Sequence, residues 1–350
     1  MNNLSPRYPV KRIKIFWIEG YMKKVVVIGS NSFSGSDFID HLLELGGYEV
    51  LGVSRSKEKL PLFLPYARHG RKHFAFFQAD LNEDLEALEK KLDVFQPDYI
   101  INFAAQSEVG PSWGNPADWF QTNAVAITQL ANMLKDKVYL KKYVHISSPE
   151  VYGNCEGTVK ETAPVNPSTP YAASKAAGDL SLFTFAKNFN FPLVMIRATN
   201  VYGSHQQLFK IIPRTIIYLK QGKKIQLHGG GLAIKSYIHI RDVSEGERLI
   251  MENGNIGEIY HLSPKQGVSV REVVETICNE LGLDFGDSTE TAPERLGQDK
   301  AYVIDSSKAS IQLSWEPKIS LIEGIRQAIH HINQHFTEIQ EQPLEYIHKA

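Results

Sequence analysis

Short runs of β-branched and aromatic residues alternate with amphipathic stretches along roughly the first two hundred residues. The run "KVVVIGS" at 24–30 ends at a glycine turn, and the next stretch, "SGSDFIDHLLELG" at 34–46, repeats its apolar residues at helical spacing. This pattern predicts a buried strand, a tight turn, and a helix that ends at Gly46 and Gly47.

The same alternation continues further along the chain. Apolar runs without a polar face predict strands that are buried on both sides, as in a parallel sheet. Strands are predicted at 48–55, 73–81, 97–105, 143–148 and 193–203, and helices around 83–92, 114–137 and 170–189. This order predicts an α/β fold, a doubly wound parallel sheet with helices on both faces.

The pattern loosens after about residue 204. Helices are predicted around 211–221 and 271–282, on either side of the glycine-rich stretch "HGGGLAIKSYIHIRD". These features predict a smaller C-terminal lobe whose chain returns to the sheet. The expected organisation is an N-terminal extension at 1–22, a main domain at 23–203, a lobe at 204–335 and a tail at 336–350.

Composition limits the classes of partner. The chain has 350 residues, 43% of them hydrophobic, and a formal net charge of -1, so no global basic surface attracts nucleic acid or an anionic membrane. Only Cys155 and Cys278 are present, which argues against a disulfide scaffold or a metal site and favours a reducing compartment, the cytoplasm. Glu19 and Gly20 interrupt the early apolar run "IKIFWI", so neither a signal peptide nor a membrane span is predicted.

The turn "GSNSFSG" at 29–35 follows the first predicted strand. Gly29 and Gly35 are spaced as in a dinucleotide-binding loop, with Ser32 where the middle glycine usually stands. Such a loop also occurs as an ordinary strand–helix turn. The second strand ends in Ser54 and Arg55 rather than an acid, which favours NADP over NAD because a guanidinium suits the 2′-phosphate. Alternatively, Arg55 stacks on adenine or faces solvent.

A tyrosine and a lysine four residues apart carry the clearest chemical signal. In "PYAASK", Tyr171 and Lys175 share one face of a predicted helix, and an ammonium beside a phenol favours the phenolate. Tyr171 could then act as a general base. The same spacing also occurs on solvated helix faces. The strand end "ISSPEVYG" at 146–153 adds a serine and the carboxylate of Glu150.

Seven linked motifs resemble those of the extended short-chain dehydrogenase/reductase family, and specifically of nucleotide-sugar 4,6-dehydratases. The resemblance covers about residues 23–335 and implies a Rossmann-type fold, a tightly held NAD(P) and a nucleotide-diphosphosugar substrate. The motifs are "GSNSFSG", "ADL", "NFAAQSEV", "ISSPEVYG", "PYAASK", "RATNVYG" and "IDSSKASIQLSWEP".

The resemblance also implies roles for individual residues. Ser148, Tyr171 and Lys175 would form the catalytic triad, with Glu150 as a further catalytic carboxylate. The residues expected at the cofactor are Gly29, Asn31, Ser32, Phe33, Gly35, Ser54, Arg55, Asp80, Leu81, Ala104, Ala105, Tyr171 and Lys175. Those expected at or near the substrate are Gln106, Asn123, Asn200, Lys235 and Arg295.

Departures from the family pattern keep alternatives open. Pro149 stands where deoxythymidine-diphosphate-glucose dehydratases have an acid, although guanosine-diphosphate-mannose dehydratases have serine there beside the same glutamate. Lys235 and Ser236 replace the usual arginine and aspartate. A 4,6-dehydratase is the leading hypothesis; a 4-epimerase or decarboxylase and a non-catalytic NAD(P)-binding protein are the alternatives.

Relatives in this family pair two long helices from each subunit into a four-helix bundle. The candidate helices here are 114–137 and 170–189, and "FQTNAVAITQLANML" carries apolar residues on more than one face. A homodimer is therefore expected.

Overall fold

The computed structural model describes residues 22–154, 158–293 and 301–348. Its largest sheet has seven parallel strands in the order β12-β7-β5-β4-β1-β2-β3. The strands are β1 (Lys23–Ile28), β2 (Tyr48–Ser54), β3 (Phe74–Gln78), β4 (Tyr99–Asn102), β5 (Lys142–Ile146), β6 (Thr158–Val159), β7 (Leu193–Ala198), β8 (Asn200–Tyr202), β9 (Ile225–His228), β10 (Ile234–Lys235), β11 (Tyr237–His239), β12 (Ile259–Leu262), β13 (Val268–Ser269), β14 (Thr289–Ala292) and β15 (Ala301–Ile304).

Helices flank this sheet and build the smaller lobe. They are α1 (Phe33–Leu45), α2 (Leu85–Phe95), α3 (Pro116–Phe120), α4 (Ile127–Leu134), α5 (Pro170–Phe189), α6 (Ile211–Lys220), α7 (Ile240–Asn253), α8 (Val270–Leu281), α9 (Phe285–Ser288), α10 (Ser307–Leu313), α11 (Leu321–Gln334) and α12 (Phe336–Gln340). The structure confirms the predicted α/β fold with a doubly wound, Rossmann-type parallel sheet.

The strand order reverses beside β1. β1 pairs with β2 on one side and with β4 on the other, so the two halves of the sheet wind outward from this point. A crevice opens at such a switch point at the carboxyl ends of the strands, and ligands of doubly wound folds bind there. The glycine turn after β1 and the motif after β5 both lie at this edge.

Apolar residues cover both faces of the sheet. One layer packs α1 and α7 against the sheet through residues such as Phe38, Val243 and Ile250. The opposite layer packs α2, α4 and α5 through residues such as Leu88, Leu130 and Leu182. Burial on both faces explains why the strands are continuous apolar runs.

The smaller lobe has its own core, built around α6, α8 and α11. A four-stranded sheet in the order β13-β10-β15-β6 and two strand pairs, β8 with β11 and β9 with β14, lie outside the main sheet. The chain after residue 204 also supplies β12 to the edge of the main sheet and α7 to its face.

Two predicted elements are interrupted. The helix predicted at 114–137 consists of α3, a π-helical turn at Gln121–Ala126, and α4. At this turn α5 approaches closely, because a Cβ on Gly178 would lie 2.2 Å from the backbone oxygen of Asn123. The strand predicted at 193–203 is divided into β7 and β8 on either side of Thr199.

Within the described residues, no helix is long and apolar enough to cross a membrane. The same residues contain no cluster of three or more histidine, cysteine, aspartate or glutamate side chains that could hold a metal ion.

Candidate active site

The turn between β1 and α1 allows very close packing of the backbone. Gly29 has φ +85°, and a Cβ there would lie 2.8 Å from the backbone nitrogen of Ala104. A Cβ on Gly35 would lie 2.4 Å from the backbone oxygen of Gly29. Ser32 caps α1, its hydroxyl accepting a hydrogen bond from the Gly35 N–H at 3.0 Å. Both glycines are therefore required, and the turn at a helix N-terminus fits a dinucleotide pyrophosphate.

Asn31 ties this turn to the segment after β2. Its side-chain amide donates to the backbone oxygens of Ser56 and Lys57 at 3.0 and 2.8 Å. Its backbone N–H donates to the Ser54 hydroxyl at 3.0 Å. Ser54 is buried and bound to the turn, whereas Arg55 is exposed directly after the strand. Of these two residues, only Arg55 is exposed to solvent.

The remaining predicted cofactor residues lie at neighbouring strand ends. Asp80 accepts a hydrogen bond from the Asn82 N–H at 2.9 Å, and Leu81 is buried. Ala104 donates its N–H to the Asn102 side chain at 2.9 Å. Ala105 and Phe33, which lies in α1, line a cleft at the carboxyl edge of the sheet.

Ser148, Glu150, Tyr171 and Lys175 line one cleft at the carboxyl edge of the sheet, with a cavity volume of about 340 Å³. Ser148 begins a short 3₁₀ turn at Pro149–Tyr152 and accepts a hydrogen bond from the Glu150 N–H at 3.2 Å. Proline is favoured at the first position of a helical turn, where its missing N–H has no partner to lose. Pro149 thus has a structural role in directing Glu150 into the cleft.

Tyr171 and Lys175 lie in the first two turns of α5. Thr169 caps this helix by accepting the Ala172 N–H at 3.2 Å, and Pro170 occupies its first position. Tyr171, Lys175 and Asp179 follow one another at four-residue spacing and are all buried. The predicted shared face of Tyr171 and Lys175 is therefore buried against the sheet rather than solvated.

Burial dominates the electrostatics of the tyrosine. It raises the pKa of Tyr171, and the nearby Glu150 carboxylate raises this pKa further, while a hydrogen bond with Ser148 lowers it. Burial therefore opposes the phenolate form, and a base at this position needs added positive charge in the cleft. Burial also lowers the pKa of Lys175 from 10.5 to about 8, against the opposing effect of Asp179.

A buried polar network lies behind Lys175. The ammonium donates to the Ile146 backbone oxygen at 2.9 Å and lies 3.3 Å from His145 Nε2. Burial holds the pKa of His145 well below its usual range, so this ring is neutral. Asp179 accepts hydrogen bonds from Arg197 at 2.8 Å and from the Ser147 hydroxyl at 2.6 Å.

The predicted substrate residues are less closely grouped. Asn200 lines the cleft, and Lys235 lies in β10, outside the set of cleft-lining residues. Gln106 is buried and exchanges two backbone hydrogen bonds with the Asn123 amide, both at 2.9 Å. Asn123 therefore fixes the chain after β4. Arg295 lies outside the described residues.

Two charged residues of the cleft escaped the sequence interpretation. Lys210, just before α6, lines the cleft and forms an ion pair with Glu108 at 2.8 Å. Glu247, in α7, also lines it. Neither lies in a recognised motif, and the sequence patterns predict no helix at the position of α7.

A dinucleotide-binding turn and a buried Ser-Tyr-Lys set at one sheet edge define an extended short-chain dehydrogenase/reductase. The chain belongs to the GDP-mannose 4,6 dehydratase family, whose model matches residues 26–328. The resemblance noted in the sequence is thereby confirmed.

Related proteins and structures agree with this family. The chain is 28% identical to the dTDP-glucose 4,6-dehydratase of Haemophilus influenzae, over 88% of this chain and 97% of that protein. It is 32% identical to the enzyme of the same name from Streptomyces niveus, over 66% of this chain and 69% of that protein.

Solved structures match the fold as well. The dTDP-glucose 4,6-dehydratase DesIV from Streptomyces venezuelae, with NAD bound, has a TM-score of 0.84 at 27% identity, covering 90% of this chain and 98% of that one. A UDP-glucuronic acid 4-epimerase from Bacillus cereus, with UDP-glucuronic acid and NAD, has a TM-score of 0.81 at 26% identity, covering 89% and 99%.

Proposed function

We propose that this protein is an NAD(P)-dependent nucleotide-diphosphosugar 4,6-dehydratase. The observation that carries the proposal is the position of Glu150, which lines the same cleft as Tyr171 and raises the pKa of that tyrosine. A carboxylate beside the tyrosine supplies a second base. Transient oxidation at sugar carbon 4 needs only the first base, whereas removal of the carbon 5 proton needs another.

The cofactor, held by the glycine turn and the strand ends after β2, β3 and β4, supplies reversible hydride acceptance when bound. The phenolate form of Tyr171 accepts the proton of the carbon 4 hydroxyl as hydride leaves carbon 4; the positive charges of Lys175 and of an oxidised nicotinamide ring would favour that form. Glu150 then removes the carbon 5 proton, which the neighbouring ketone has made acidic.

Loss of water from carbons 5 and 6 also requires a proton for the departing oxygen. Pro149 has none to give, so Glu150 passes on the proton that it took from carbon 5. Return of the hydride to carbon 6, which a bound nicotinamide cofactor would supply, and protonation of carbon 5 by Glu150 with a proton taken from solvent complete the 4-keto-6-deoxy sugar, while Tyr171 releases its proton to solvent. Oxidation at carbon 4 and reduction at carbon 6 balance, so the net reaction is the loss of one water molecule from the sugar nucleotide.

A 4-epimerase is the second candidate function. Pro149 favours it, because this position cannot donate a proton, and one structural neighbour is a UDP-glucuronic acid 4-epimerase. A decarboxylase would use the same serine, tyrosine and lysine. Incubation with a panel of nucleotide sugars, followed by mass spectrometry, separates loss of water, loss of carbon dioxide and an unchanged mass. An unchanged mass with an inverted carbon 4 would overturn the dehydratase proposal.

The choice of cofactor is a further part of the proposal. Neighbouring structures contain NAD. Arg55 is exposed directly after β2, and a guanidinium donates well to phosphate oxygens, so NADP is proposed to bind more tightly than NAD. Calorimetric titration of both cofactors into the wild type and Arg55→Ala tests this. Equal loss of affinity for the two cofactors would remove the assigned role.

We also propose a homodimer in which α3, α4 and α5 pair with their counterparts as a four-helix bundle. Leu180 on α5 and Val125 in the π-helical turn are 56% and 43% exposed, which is costly for large apolar side chains in a monomer. We also propose the cytoplasmic location that the cysteine content predicts. Cell fractionation tests this location.

A further inference from the structure

Glu247 is a buried carboxyl group that the proposed reaction does not use. It lies in α7, is 1% exposed, and lines the same cleft as Tyr171 and Lys175. Within the described chain its carboxyl group makes no side-chain hydrogen bond, and its Oε2 atom is buried without a partner. The side chain thus ends in a polar group that faces the cleft unpaired.

The position itself favours an apolar residue. Val243, Glu247 and Ile250 are spaced along one buried stripe of α7, and the two aliphatic residues belong to the core between α7 and the sheet. A buried polar group left unsatisfied costs about 1–3 kcal/mol. A partner that the chain alone does not contain would offset that cost.

The protonation state of Glu247 is set by its surroundings. Burial raises its pKa well above the usual value, and the neighbouring Asp37 carboxyl raises this pKa further. Asp37 itself accepts a hydrogen bond from Ser244 at 2.7 Å and lies 3.5 Å from Arg241. Burial raises the pKa of Asp37 as well, but Arg241 and Ser244 oppose that effect, whereas Glu247 has no such partner and is the more readily protonated of the two.

A neutral carboxylic acid offers one hydrogen-bond donor and one acceptor side by side. A primary carboxamide offers the complementary pair, an N–H donor and a carbonyl acceptor, so the two groups can form a ring of two hydrogen bonds. Among the reactants of the proposed reaction, the nicotinamide ring carries the carboxamide. Hydride transfer also requires that ring to lie in the cleft that Tyr171 and Glu247 share.

We propose that Glu247 is a cofactor-binding residue whose neutral carboxyl group pairs with the carboxamide of the nicotinamide ring. The inference rests on the proposed function only for the presence of a nicotinamide cofactor. It does not depend on whether the sugar loses water, is epimerised or is decarboxylated.

Binding measurements on three variants test this proposal. After removal of bound nucleotide, NAD and ADP-ribose are titrated calorimetrically into the wild type, Glu247→Gln and Glu247→Leu. ADP-ribose lacks the nicotinamide ring but retains the rest of the contacts. Glu247→Leu should weaken NAD about tenfold, as expected for loss of one or two hydrogen bonds, and leave ADP-ribose unchanged. Glu247→Gln keeps a donor and an acceptor and should bind NAD nearly as the wild type does.

The matched control is Glu245→Gln, which alters a carboxylate of the same helix that pairs with Arg248 at 2.8 Å at its surface. It should change neither affinity. If the leucine variant loses ADP-ribose as well, Glu247→Ala, which adds no bulk, replaces it in the same comparison. The comparison uses whichever of the leucine and alanine variants still binds ADP-ribose. If its ratio of NAD affinity to ADP-ribose affinity equals that of the wild type, the proposal is overturned.

The pH dependence provides a second readout. NAD affinity of the wild type should fall as rising pH ionises Glu247 and removes its donor, and the glutamine variant should lack this part of the dependence. The same fall in both proteins would also contradict the pairing. A wild type that binds neither NAD nor NADP would instead refute the proposed function, so the two failures are distinguishable.

Discussion

Asp179 and Arg197 form an ion pair at 2.8 Å in which both side chains are almost fully buried. The pair connects α5 to β7, and the Ser147 hydroxyl joins it from the end of β5. Because Asp179 also raises the pKa of Lys175, the pair couples the packing of the sheet edge to the charge of the active-site lysine.

We expect Asp179→Asn to lower the free energy of unfolding by about 3 kcal/mol, because it leaves the Arg197 guanidinium buried without its counter-charge. Urea unfolding measures the change. Asp93→Asn removes one charge from the exposed ion pair with Lys137 and should change the free energy of unfolding far less. Equal effects of the two substitutions would contradict the assigned importance of the buried pair.

Lys175 should make stability depend on pH. The pKa of Lys175 is about 8 in the folded protein and about 10.5, the ordinary lysine value, in the unfolded chain, so the unfolded chain binds the proton more tightly. The resulting penalty is fully present below about pH 8 and disappears as the pH rises through 10.5. Lys175→Met removes it. The stability of the variant relative to the wild type should therefore fall by about 2 kcal/mol between about pH 7 and about pH 10. A constant difference would contradict the lowered pKa.

Tyr171→Phe should slow hydride transfer by about a hundredfold to ten-thousandfold, because the variant cannot accept the carbon 4 hydroxyl proton. Stopped-flow absorbance of the reduced cofactor measures the step, and calorimetry should show that the cofactor still binds. Tyr260→Phe changes a buried tyrosine that bonds to Gln312 at 2.7 Å, away from the cleft, and serves as the control. Full turnover by the Tyr171 variant would remove this residue as the base.

Glu150→Gln should spare oxidation at carbon 4 and block elimination, because the amide cannot remove the carbon 5 proton. Mixed with its substrate, the variant should accumulate reduced cofactor, seen by its near-ultraviolet absorbance, and release little dehydrated sugar. Wild-type product formed in heavy water should carry deuterium at carbon 5. An active variant, together with no deuterium at carbon 5, would instead support 4-epimerisation.

Leu180→Glu should dissociate the proposed dimer, because it places a charge on the apolar surface of α5. Light scattering at micromolar concentration gives the mass. Ile311→Glu changes another exposed apolar residue, in α10, and should leave the assembly unchanged. A monomeric wild type would refute the proposed bundle.

The sequence predicts those parts of the fold that depend on local patterns. Gly29 and Gly35 mark the turn, and the four-residue spacing of Tyr171 and Lys175 places both on one helix face. The buried ion pair was not predictable, because Asp179 and Arg197 come together only when β5, β7 and α5 pack.

Ser54 shows the same limit at the proposed cofactor site. Ser54 is predicted at the cofactor from its place at the strand end, and in the structure its hydroxyl also accepts the N–H of Asn31 across the β1–α1 turn. A polar residue at a strand end can bind either a ligand or a neighbouring loop, and only the tertiary contact distinguishes them. Glu247 likewise resembles any charged residue of an amphipathic helix until its burial is known.

The return of the chain to the sheet as β12 limits how this protein can be recombined with its relatives. A single crossover near residue 204 would exchange the small lobe together with β12, the edge strand beside β7, and with α7, the helix packed on α1. The β12 and α7 of the other protein would then have to pack against the β7 and α1 of this one. The small lobe therefore cannot be exchanged as one continuous segment. A chimera that is meant to change substrate preference has to retain α7 and β12 and replace the segments of the lobe on either side of them separately.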